Sequence, residues 1–230
     1  MTYVIGIMYH TNAPKFSLEP GVKLKNGGDD VSEASVKTLR QLIKRKGPIL
    51  RSKQLKQQGY DSRGIQALLA SQDLVRLKDG YYTTSSILPK LSDAQIAVAT
   101  IPDAVLYYLS AAEHHQLTNL IPGSVHVAVP NKGVTPVKPE FPPVEIMRFV
   151  PRIYALGKDI LPMEPVPVAC YNRERTICDL ARRWEEIGKD ILIEAIRNYL
   201  RGDRNLQLLY EYAEKLRVRE IIHPYLEAMA

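Results

Sequence analysis

Two side chains able to hydrogen-bond the edges of bases, Arg63 and Gln66, stand three residues apart in a helical pattern. Two small residues, Ala67 and Ala70, share their face. A face of this kind suits the major groove of DNA: the polar pair can reach base edges, and the small pair lets the backbone come close. Arg76 and Lys78 flank the start of an Asp79-Gly80 turn, where side chains would meet the phosphate backbone or the adjacent minor groove. Arg51, Ser52 and Lys53 begin one predicted helix and Ser62 begins the next. The free amides of a helix N-terminus favour nearby phosphate, so these four complete the candidate DNA-contacting set. The plain alternative for Arg63 and Gln66 is a solvated surface.

No other constellation carries chemistry as well. His114 and His115 are adjacent on a predicted helix and point in different directions, unlike an i, i+4 chelating pair. One is expected to pack and the other to stay wet. His126, Cys170 and Cys178 add no recognised ligand spacing, so no metal and no cofactor is expected. There is no glycine-rich phosphate loop, no GxSxG and no HExxH, and Asp179, Glu185 and Glu186 lack a partnering base or metal. Arg173-Glu174-Arg175-Thr176 opens a helix whose charges can pair with Asp179 one turn on, or meet a partner. Tyr107, Tyr108, Tyr199, Tyr210, Tyr212 and Tyr225 fall within helical patterns and are expected to pack in the core or in grooves. No catalytic residue is assigned, and the chain is read as a non-enzyme.

Charge supports the DNA reading by its location. The 230 residues carry a net charge of +6. From Ser32 to Thr84 there are eleven Lys and Arg against four Asp and Glu, a net of +7; the remainder has 20 against 21, a net of −1. Cations gathered in one short segment are what phosphate neutralisation requires. The 45 % hydrophobic content is enough to build a core. The two cysteines, the absence of a basic leader and the lack of an apolar stretch of membrane length point to the cytoplasm.

The elements that must position these residues follow from periodicity. Residues 1–31 read as a poorly ordered arm, broken by Pro14, Pro20 and Asn26-Gly27-Gly28-Asp29-Asp30. Ser32 to about Arg45 reads as a helix, with Val36, Leu39, Leu42 and Ile43 on one face and Gly47-Pro48 ending it. Ser52 can cap a second short helix through Gln58, and Asp61 a third from Ser62 to about Ser71. Leu74–Leu77 and Tyr81–Thr83 form a hairpin around Lys78-Asp79-Gly80. Three helices and a hairpin in about 50 residues give a winged helix-turn-helix over 32–88 with the third helix as reader. From 89 to 230 the pattern is mixed α+β with a helical C-terminal end. Helices are expected at Ser92–Thr100, Asp103–Leu117 (with Pro102 as its first residue), Arg173–Trp184, Asp190–Arg201, Leu206–Leu216 and Glu220–Met229. Strands are expected at Ser124–Val129, Val144–Val150 and Val166–Cys170, with a Pro-rich loop from Asn131 to Pro143.

The order of short motifs along the chain resembles the AbiEi-type antitoxins, regulators of type IV toxin–antitoxin systems in abortive infection. The resemblance begins with Ile49-Leu50-Arg51-Ser52-Lys53-Gln54-Leu55, Gly59-Tyr60, Leu74–Leu77 and Gly80-Tyr81-Tyr82. It continues through Pro102–Leu106, Leu109-Ser110-Ala111, Ile121-Pro122 and Val125–Pro130. It ends with Val166-Pro167-Val168, Arg175–Asp179 and Pro224–Glu227, and so covers roughly 35–229. The N-terminal arm is longer than the family's, and Arg182, Arg183 and Trp184 depart from its pattern. The resemblance implies a repressor of its own promoter, acting on inverted repeats, and an antitoxin that counters a nucleotidyltransferase-like toxin without requiring a stable complex. Two other classes compete: a winged-helix adaptor that binds protein, whose binding would be insensitive to salt and absent with DNA, and a DNA-tethered nuclease, which would cleave in a divalent-metal-dependent way.

Overall fold

Leu39 and Leu42 lie one turn apart and are fully buried, which fixes the inward face of the first helix, α1 (Glu33–Lys46). This computed structural model describes residues 33–229, and the expected arm over 1–31 lies outside the described residues. After Gly47-Pro48 come strand β1 (Leu50–Arg51), helix α2 (Ser52–Gln57), helix α3 (Ser62–Ala70) and the hairpin strands β2 (Leu74–Lys78) and β3 (Tyr81–Thr84). Leu50, Leu55, Ile65, Leu68, Leu74 and Tyr82 join Leu39 and Leu42 in one core. Strand β1 had no signal in the sequence. It pairs antiparallel with β3 and completes a three-stranded sheet of order β1-β3-β2. Two residues are too few to show alternation, so only the pairing with β3 defines them.

Helix α4 (Asp93–Thr100) follows, capped by Ser92, whose hydroxyl accepts from the Gln95 amide while Gln95 Oε1 accepts from the Ser92 amide. The second sheet has five strands in the order β6-β5-β4-β8-β7. They are β4 (Val105–Leu106), β5 (Val125–Pro130), β6 (Val144–Phe149), β7 (Lys158–Leu161) and β8 (Val168–Tyr171). β5 with β6 and β4 with β8 run parallel, while β4 with β5 and β7 with β8 run antiparallel. Val125, Val127 and Val129 pack with Ala97 of α4 and with Ile101 just after it. Ala128 belongs to the opposite core, built on α5 (Tyr108–His114), α7 (Arg173–Arg182), α9 (Lys189–Arg201), α10 (Leu206–Leu216) and α11 (Arg219–Met229). The short helices α6 (Pro151–Tyr154) and α8 (Trp184–Ile187) complete eleven α-helices among the described residues. The fold is mixed α+β with a helical C-terminal end.

Three sequence expectations fail on local detail. The helix expected over Asp103–Leu117 is a strand followed by a shorter helix. Val105 and Leu106 are buried in the central strand of the sheet, so pairing on both sides outweighs their helical spacing. Pro102 accordingly lies in a turn, and Asp103 takes a φ of +57° there. The cap of α2 is Arg51, not Ser52, and the Arg51 amide donates to Gln54 Oε1 at 2.6 Å. Strand β7 has no signal in the sequence, because it is an edge strand with Lys158, Asp159 and Ile160 all exposed, which leaves no apolar alternation.

The Arg175–Asp179 pair on α7 is intramolecular and wholly buried. Arg175 Nε donates to both carboxylate oxygens at 3.0 Å, and Nη1 donates to the carbonyls of Ile153 at 2.7 Å and Leu156 at 2.9 Å. The guanidinium lies 4.3 Å from the Tyr171 ring centroid and 5.2 Å from that of Phe149. Burial pushes the Asp179 carboxyl up, against the opposing pull of Arg175. Gly157 has a φ of +72°, and a Cβ there would fall 2.6 Å from Arg175 Cβ. Replacing Asp179 with Ala strands a buried cation and should cost about 3–5 kcal/mol in urea unfolding. Arg175→Met combined with Asp179→Leu should recover part of that loss. An Asp179→Ala loss under about 1 kcal/mol would show that the pair does not organise this core.

Candidate nucleic-acid interface

Helix α3 starts where Asp61 Oδ1 accepts the Gly64 amide at 2.7 Å. Ile65 and Leu68 are buried, and Leu69 packs against the same core. That anchoring turns Ser62, Arg63, Gln66 and Ala70 to solvent, with Ala67 half-buried between them. Neither Arg63 nor Gln66 has a side-chain hydrogen bond or ion pair among the described residues, so both remain available to a ligand.

The start of α2 and the hairpin tip form a second cluster. The Ser52 amide donates to the Gly80 carbonyl at 2.9 Å, which ties the Asp79-Gly80 turn to the helix start. Gly80 takes a φ of +79°, as the tight turn requires. Arg51 lies over the Tyr81 ring at 5.4 Å, an aromatic seat that the sequence reading did not foresee. Lys53 is exposed, and Ser52 is half-buried. Arg76 projects from β2 into solvent, 3.5 Å from the Asp79 carboxylate. The structure thus brings Arg51, Ser52 and the turn together, with Arg76 nearby and Ser62, Arg63 and Gln66 on a separate helix.

Lys78 departs from expectation. Strict alternation would place it on the exposed side with Arg76. The pairing of β2 with β3 is irregular between these two residues, and Leu77 and Lys78 are both buried. Lys78 Nζ donates to the Thr100 carbonyl at 3.1 Å, at the end of α4, and lies 5.3 Å from the Tyr81 ring. Burial lowers its pKa below the usual lysine value. Its ammonium is therefore turned into the protein, and the reading of Lys78 as a phosphate contact is corrected.

The histidines and cysteines do not assemble a site. His115 Nε2 is 2.7 Å from the Tyr171 carbonyl, while His114 is exposed. His126 is buried beside Ser110, and desolvation lowers the pKa of both His115 and His126, favouring neutral rings. The ring of Tyr108, whose φ is +56°, packs edge-on against His126 and under Arg183. Stacking on several sides holds this strained conformation. Cys170 and Cys178 are buried thiols whose pKa burial pushes up. Among the described residues no group of three or more His, Cys, Asp or Glu is placed to hold a metal ion. No helix among them is long and apolar enough to cross a membrane.

Compared with known proteins, the chain matches no family model and no curated sequence.

Lys78→Ala should lower stability by about 1–3 kcal/mol, because the Thr100 carbonyl would lose its donor in a buried setting. A change below about 0.5 kcal/mol in urea unfolding would mean that the ammonium is not held there.

Proposed function

We propose that residues 32–88 form a winged helix-turn-helix that binds double-stranded DNA, with α3 in the major groove. The observation that carries this reading is the unpartnered outward face of α3, bearing Arg63 and Gln66, within the segment that holds a net charge of +7. The order α1-β1-α2-α3-β2-β3, with β1 closing the small sheet, supports it. In this reading Arg63 and Gln66 contact bases, while Arg51, Ser52, Lys53, Ser62 and Arg76 hold phosphates. The resemblance to AbiEi-type antitoxins extends the proposal. The protein represses its own promoter at inverted repeats and counters a nucleotidyltransferase-like toxin, with no catalysis of its own, in the cytoplasm.

Binding to the protein's own promoter should weaken steeply with salt. Neutralising about six phosphates gives a log–log slope near −5, and a flat response in a mobility-shift titration would overturn DNA binding. Arg63→Ala or Gln66→Ala should each cost about 1–3 kcal/mol on the promoter and blur its preference over a scrambled duplex. Arg76→Ala or Lys53→Ala should weaken both duplexes alike and make the salt slope shallower by about one. Lys78→Ala should leave that slope unchanged. Full cognate preference in both α3 variants would show that another face does the reading.

A further inference from the structure

We propose that the cleft lined by the DNA-reading segment, α4 and the loop before β8 binds a small ligand consisting of an anionic group on a compact apolar body. The cleft has a volume of about 470 Å³, within the usual range of small-molecule sites. Lys46, Arg51 and Tyr81 of the first segment line it together with Ala99 of α4 and with Pro165 and Val166.

These lining residues differ in chemistry. Lys46 ends α1 and Arg51 precedes α2, and neither has an ion pair among the described residues. No carboxylate among the described residues lines the cleft. Two exposed cations without an ion-pair partner among the described residues therefore line one recess, which favours an anion there. Arg51 is seated over the Tyr81 ring, which reduces the ordering its guanidinium needs on binding.

The Ala99, Pro165 and Val166 side chains offer nothing polar to a ligand. Pro165 has no amide hydrogen, Ala99 presents a methyl group, and the Val166 carbonyl already accepts from Gln95 Nε2 at 2.8 Å. These residues suit an apolar body. Stacking of a nucleobase on Tyr81 is disfavoured, because Arg51 and Lys78 already lie against that ring. The ligand class is therefore a carboxylate or phosphate monoester on a small hydrocarbon or aromatic group. Arg51 also stands in the proposed DNA-contacting set, so an occupant that draws its charge into the cleft weakens DNA binding. That consequence rests on the DNA reading; the site itself does not.

The test is a titration of the isotope-labelled full chain with phenyl phosphate, benzoate, inorganic phosphate and benzyl alcohol, followed by amide shifts. Phenyl phosphate or benzoate should saturate, with shifts confined to residues 46–54, Tyr81, Ala99 and Val166. Whichever of the two binds more tightly identifies the anionic group. Inorganic phosphate should bind at least about tenfold more weakly, and benzyl alcohol should not saturate. Lys46→Glu, at an exposed position, should keep the rest of the spectrum and weaken binding by at least about tenfold. No saturation below about 10 mM, or shifts spread over the cations of α1 to α3 that persist in Lys46→Glu, would overturn the site. In anisotropy measurements the tighter probe should lower promoter affinity of the wild type and not of Lys46→Glu; promoter affinity unmoved by saturating probe would overturn the regulatory consequence. Probe binding without any DNA binding would sink the DNA reading and leave the site standing. DNA binding with no probe binding would do the reverse.

Discussion

A guanidinium and a carboxylate enclosed on one turn of α7 set the terms for the larger part of this fold. Arg175 and Asp179 have no exposed side-chain surface. Charges removed from water are tolerable only when nearly every polar atom finds a partner. The carbonyls of Ile153 and Leu156 supply two of those partners, so the turn after α6 must approach α7 closely. That approach brings Gly157 against Arg175 Cβ and sends the chain into β7. The rings of Tyr171 and Phe149, from β8 and β6, close over the guanidinium. One ion pair thereby fixes how three separate segments of the sheet meet the helical layer.

Helix α4 plays a different part, joining the two sheets rather than covering one. Its residues are apolar around most of the circumference, the pattern of a helix buried on several sides. Ala97 and Ile101 face the five-stranded sheet, whereas Ile96 packs with Leu77 of β2 and Leu91. Gln95 is bonded to the Val166 carbonyl, and the last turn offers the Thr100 carbonyl to Lys78. A hairpin fastened in this way cannot swing independently of the sheet behind it.

The sequence was most legible where a local rule and burial agree. Asp61 announces α3, the Asp79-Gly80 turn announces the hairpin, and Leu39 and Leu42 announce the buried side of α1. The same periodicity correctly turns Arg63 and Gln66 outward, because the helix is long enough for its apolar stripe to be read. Legibility failed where a partner distant in sequence decides. Val105 and Leu106 follow a helical spacing, yet strands from residues 125–130 and 168–171 claim them. Lys78 is an instance on the scale of one residue. Its side follows from an irregularity in strand pairing and from a carbonyl 22 positions away, and neither is visible in Arg76-Leu77-Lys78.

Turning Lys78 inward redistributes the charge of the basic segment. The hairpin tip keeps Arg76, whose charge is partly offset by Asp79, so the tip is a weaker cation than the sequence suggests. Exposed cations remain on the helices: Lys37, Arg40, Lys44, Arg45 and Lys46 on α1, Lys53 and Lys56 on α2, and Arg63 on α3. An electrostatic attraction to phosphate would therefore act mainly through the helical part, with Arg76 the hairpin's one contribution and the hairpin serving chiefly as a brace. The brace is fixed at both ends, by Ser52 to the start of α2 and by Lys78 to the end of α4. Through Lys78 and Gly80, two residues apart, the hairpin thus touches both the end of α4 and the start of α2.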